Sequence, residues 1–201
     1  MPRFPLAAAL LGAWFAMAPP SEAGVVRYQS VLAPEVAGAT GSGSVTVDHD
    51  TLAHTLLVSA TWSGLSGTTT VAHIHCCTAV PGTGTINVAV TPNTLPGFPA
   101  GVSSGSYISQ LLDLTAAPTY TSAFINNFAG GLLGNAEAAL IAGFDAGEAY
   151  FNVHTTTFPA GEIRGFLRAA AEPVPEPATL ALLALGLAGI GWGRRVQHTR
   201  A

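Results

Sequence analysis

Between residues 25 and 168 the chain alternates apolar and polar side chains in short runs, broken by Gly and Pro. Period-two alternation marks a half-buried strand, because successive side chains leave opposite faces of the backbone. It predicts strands over 25–32, 43–48, 55–62, 71–77, 85–91 and, less cleanly, 107–114, then 149–155 and 162–168. The second and third form a hairpin with Asp48-His49-Asp50 near its turn. The last two form a closing hairpin joined by Phe158-Pro159-Ala160-Gly161. Residues 120–128 and 135–142 depart from the alternation and predict short helices. Many strands with Gly/Pro punctuation imply an all-β fold. The expectation is an antiparallel Greek-key sandwich or barrel with one or two short helical insertions. No internal repeat is visible.

The two ends break the pattern differently. Arg3, an apolar run from Leu6 to Ala18 and the small–x–small exit Ser21-Glu22-Ala23 have the form of a secretory signal peptide. Residues 1–23 are therefore read as a signal helix, and 24–170 as the folded domain. Residues 171–177 form a linker ending in Pro175-Glu176-Pro177, whose prolines exclude a helix. Residues 178–193 are almost wholly Ala, Leu, Gly and Ile, and Arg194-Arg195 follows. That run is at the short limit of a bilayer span, and the Arg pair should stay cytoplasmic. Residues 178–201 are thus read as a transmembrane helix with a basic tail. Pro-Glu-Pro, apolar helix and basic cluster, in that order, resemble the PEP-CTERM sorting signal. The resemblance implies transient residence in the inner membrane and removal of the tail by an exosortase-type membrane protease. The protein would then be released or retained at the cell exterior. A plain membrane anchor is the competing reading.

Composition narrows the partners. Charged residues are 9% of the chain, against roughly 25% in ordinary soluble domains. Lysine is absent, and the domain holds three Arg against eight Asp and Glu. Such a surface does not attract a phosphate backbone, so nucleic acid is excluded as a partner. About 145 residues remain once both ends are removed, enough for one core without staples.

The candidate chemistry sits on two predicted strands. His73 and His75 share a face of one, and Tyr150, Asn152 and His154 share a face of another. If the strands are neighbours, three imidazoles converge, a donor set that suits zinc or copper. The alternative is a structural network in which the histidines bond to main-chain carbonyls or to Glu162 and Arg164. The latter two, at i and i+2, are expected to pair with each other or with the histidines. Cys76 and Cys77 are the only cysteines. A vicinal disulfide is the favoured expectation; thiolate ligation beside His75 and an intermolecular bridge stay open. Asp48 and Asp50 suit a turn better than a calcium loop. No nucleophile elbow, phosphate loop, zincin or dinucleotide motif is present.

Ala72-His73-Ile74-His75, Tyr150-Phe151-Asn152-Val153-His154-Thr155 and Pro159-Ala160-Gly161-Glu162-Ile163-Arg164-Gly165 resemble the CHRD (chordin-type) domain over roughly residues 25–168. Leu32-Ala33-Pro34-Glu35 matches it loosely. The resemblance implies an extracellular β domain, found in bacteria and in animal developmental regulators, and supplies no catalytic activity. The expected function is an exported cell-surface or extracellular-matrix protein, not an enzyme, acting as a binding or structural β domain. Its partner would be extracellular polysaccharide or another surface protein, met through exposed aromatics such as Trp62, Phe98, Phe124 or Phe158, although burial in the core is the commoner outcome for each. The alternative is a copper or zinc protein built on His73, His75 and His154, with redox activity open to it.

Overall fold

The computed structural model describes residues 24–171. The expected signal helix, transmembrane helix and sorting motif lie outside the described residues. Among those that are described, no helix is long and apolar enough to cross a membrane.

The strands are β1 (Val25–Pro34), β2 (Ser42–Asp50), β3 (Thr55–Ser63), β4 (Thr69–His75), β5 (Val88–Val90), β6 (Gly105–Ile108), β7 (Leu112–Asp113), β8 (Tyr150–Thr155), β9 (Ile163–Phe166) and β10 (Arg168–Ala169). All pair antiparallel, in the order β5-β4-β8-β9-β1-β2-β3-β6, with β7 on β3 and β10 on β1. The all-β antiparallel class is as expected. The architecture is one curled half-barrel sheet rather than two stacked sheets or a closed barrel. β1 makes the curl: Val25–Leu32 pair with β2, while Ala33 and Pro34 pair with β9.

In β2 and β3 the alternation translates directly into burial. Val45, Val47, Leu56, Val58, Ala60 and Trp62 all point into the core. Their hairpin turns at residues 51–54, where Asp50 Oδ1 accepts from the amides of Leu52 and Ala53 at 2.9 Å each. Asp50 is thus a turn residue. The expected strand at 107–114 is two short ones, broken around Ser109, whose hydroxyl accepts from the Val58 amide.

Both predicted helices form. Helix α1 (Ser122–Phe128) starts at Thr121, whose hydroxyl accepts from the Phe124 amide. Helix α2 (Ala136–Ala146) runs four residues beyond its predicted end and stops at Gly147, which has φ 67° and serves as a left-handed cap. α2 lies against the sheet: the rings of Tyr28 and Phe144 are 5.0 Å apart, and the Tyr28 hydroxyl donates to Asp145 at 2.8 Å. Gly143 of α2 meets the sulfurs of Cys76 and Cys77, and a Cβ there would collide with both.

Strand β8 is buried on both faces. Phe151 and Val153 face the core, and the segment linking β4 to β6 covers the opposite face. A polar face closed off from water must find its partners inside the protein. That requirement makes the outer face of β8 the place to look for a site.

Candidate functional site

Strands β4 and β8 are neighbours, with His73 opposite Asn152 and His75 opposite Tyr150. Directly opposed residues share a face. His73, His75, Tyr150, Asn152 and His154 therefore project together, as their two-residue spacing requires. The three histidines are 7%, 8% and 9% exposed. Their nearest ring nitrogens all lie within 4.8 Å of one another.

Each ring is pinned by a main-chain carbonyl from a different loop. His73 Nε2 donates to the Asn93 carbonyl at 2.6 Å, His75 Nδ1 to Ile86 at 2.7 Å, and His154 Nδ1 to Pro159 at 2.8 Å. The Asn93 carbonyl is aimed by a turn around Pro92 in which Thr91 (φ 53°) and Asn93 (φ 75°) both take left-handed backbone. For a β-branched threonine that conformation is unfavourable, so surrounding structure must enforce it. The other ring nitrogens look inward. His73 Nδ1 and His154 Nε2 stand 3.2 Å apart, and His75 Nε2 stands 3.1 Å from Asn152 Oδ1. Burial lowers the pKa of His73, and takes His75 down to about 4. Both rings are therefore neutral at neutral pH.

Around this group the side chains are ordered by stacking. The His75 and Tyr150 rings lie parallel at 4.6 Å. The Arg164 guanidinium lies over the Tyr150 ring at 5.2 Å and over Phe166 at 5.5 Å. Burial raises the Tyr150 phenol.

Glu162 and Arg164 do not pair with each other or bond to the histidines, contrary to expectation. Face-sharing at i and i+2 holds only along a regular strand, and Glu162 precedes β9, directly after Gly161 at φ 130°. No side chain fits at Gly161, where a Cβ would meet the Glu35 carboxylate. Glu162 turns into the protein and is fully buried. It accepts from the Ser66 and Gly67 amides at 2.5 and 3.3 Å and from the Thr155 hydroxyl at 2.6 Å. Burial opposes its ionisation, but these bonds outweigh it and hold the carboxyl below its usual range. Arg164 pairs instead with Glu35 at 3.2 Å and donates to the Gly84 carbonyl at 2.8 Å.

Cys76 and Cys77 are joined to each other by a disulfide. Beside it, residues including Phe128, Ala139, Ala142 and Gly143 line a shallow groove of about 550 Å³. Three of the four aromatics considered for ligand contact, Trp62, Phe98 and Phe124, are buried, and only Phe158 reaches partway to the surface.

Two features were missed from sequence. One is the Glu35–Arg164 pair; its only signal was the loosely matched segment around Glu35. The other is Glu137 of α2, whose two oxygens meet His49 Nε2 and His54 Nδ1 at 2.8 Å each. The three carbonyls that orient the histidines carry no side-chain signal at all.

An antiparallel β domain with a buried histidine face is the class these observations define. The CHRD domain model matches residues 25–167, and the PEP-CTERM protein-sorting motif matches 173–195. The chain belongs to the CHRD domain family and carries the signal of an exported, exosortase-sorted protein. No curated protein matches it, and no solved structure does either.

Proposed function

We propose that the CHRD domain acts outside the cell as a binding or structural module without catalytic turnover, on extracellular polysaccharide or another surface protein. The observation that carries this reading is the order of the matches: the domain ends at residue 167 and the sorting motif begins at 173. Tail removal by an exosortase-type protease would therefore release the folded domain whole. The experiment is to express the full chain in a Gram-negative host with and without its exosortase and follow its size and location by immunoblot. A shortened chain at the surface or in the medium, dependent on exosortase and lost when Pro175-Glu176-Pro177 is replaced by alanines, supports the reading. A full-length chain held in the inner membrane in both hosts overturns it. The second reading, a histidine-ligated copper or zinc protein, has separate support in the direction of the ring lone pairs.

A further inference from the structure

We infer that His73, His75 and His154 bind one borderline first-row cation, zinc or copper, through Nδ1 of His73 and Nε2 of the other two. This rests on the metal-binding reading above and assigns its coordinating atoms. A carbonyl oxygen only accepts, so the ring nitrogen hydrogen-bonded to it must carry the proton. Asn93, Ile86 and Pro159 thereby place the protons on His73 Nε2, His75 Nδ1 and His154 Nδ1. A neutral imidazole has one proton, so the remaining nitrogen of each ring is a bare lone pair. With both rings neutral, His73 Nδ1 and His154 Nε2 face each other at 3.2 Å as two acceptors. Neither ring can flip without abandoning its carbonyl. His75 Nε2 faces Asn152 Oδ1, also an acceptor. Turning the Asn152 amide over would satisfy His75, but the His73–His154 pair has no such remedy.

A positive species between the two nitrogens removes the conflict. With metal–nitrogen bonds of about 2.0–2.1 Å, tetrahedral ligands stand roughly 3.3 Å apart, close to the separation seen. His75 would have to close in, bringing nitrogens that now lie within 4.8 Å of one another to roughly 3.3 Å, to complete a three-nitrogen set. Holding the far ring nitrogen on a carbonyl is how proteins fix a ligating histidine's tautomer. Three neutral nitrogens with no carboxylate suit zinc or copper, not calcium or magnesium. A shared proton would bridge the first pair without recruiting His75, which separates the two explanations.

The full chain, solubilised in detergent and stripped with a chelator, is titrated with zinc chloride and its bound metal measured by mass spectrometry. The nitrogen tautomers of the zinc-loaded protein are read by long-range ¹⁵N NMR, which needs no variant. About one zinc per chain is expected. It should be lost in His73→Gln and in His154→Gln and kept in His49→Ala. Protons should be found on Nε2 of His73 and Nδ1 of the other two. Zinc that persists in both His→Gln variants, or ligation through Nε2 of all three rings, overturns this assignment while leaving metal binding in place. No uptake of zinc, nor of copper in a parallel titration, with a single proton shared by His73 and His154, overturns the assignment and the metal-binding reading together.

Discussion

Two groups of histidines lie in this domain, and they are built on opposite principles. His49 and His54, at the β2–β3 hairpin, meet one carboxylate, Glu137, which bonds to both. A histidine beside a carboxylate has a partner for its N–H and, when protonated, for its charge. That group is a clasp between the hairpin and α2 held through one nitrogen of each ring, and His49 Nδ1 is buried without a hydrogen-bond partner. His73, His75 and His154 have no carboxylate among their bonds. Carbonyls satisfy one nitrogen of each ring and leave the other facing inward. A shared carboxylate ties the first group to α2, whereas the proposed cation site rests on the facing ring nitrogens of the second.

The comparison breaks outright if zinc follows the wrong group. Loss of a direct ligand in His73→Gln should weaken zinc binding beyond the 10–100-fold that loss of an outer partner typically costs, while His49→Ala should leave it unchanged. Isothermal titration of both variants decides this. Glu162 tests whether a buried group fully satisfied by donors behaves as scaffold. Glu162→Ala strands the Ser66 and Gly67 amides and should cost about 2–4 kcal/mol in urea unfolding. Its pH dependence has a defined sign. The folded pKa lies below the ordinary 4.5, so the contribution is present above pH 4.5 and is lost as pH falls through the folded value. Unfolding curves of the wild type and Glu162→Gln should accordingly converge in acid. Glu137→Gln should cost about 1 kcal/mol without changing zinc uptake, since it loosens only the clasp. The smallest effect is expected at the surface. Arg27→Ala removes a pair with Asp48 at 2.6 Å and should cost under about 1 kcal/mol, less at high salt.

How much could be read beforehand differs by element. Val45 and Val47 face inward as their spacing requires, because a strand's two faces are set by parity alone. The strand expected at 85–91 shrinks to Val88–Val90. Its outer residues serve the site instead: the Ile86 carbonyl holds His75, a role parity cannot express. Glu162 escaped for the related reason that Gly161 interrupts the strand and redirects the side chain.

By itself the sequence determined the antiparallel strands, the two helices, the facing of His73 with His75 and of Asn152 with His154, and the address at the C-terminus. These are local properties, carried by period, by turn chemistry and by contiguous motifs. Only the tertiary structure decided that β4 and β8 are neighbours, that Glu35 takes Arg164, and that Asn93, Ile86 and Pro159 supply the carbonyls. A main-chain carbonyl belongs to every residue alike, so its position, which fixes where each imidazole keeps its proton, exists only once the loops have folded over the sheet.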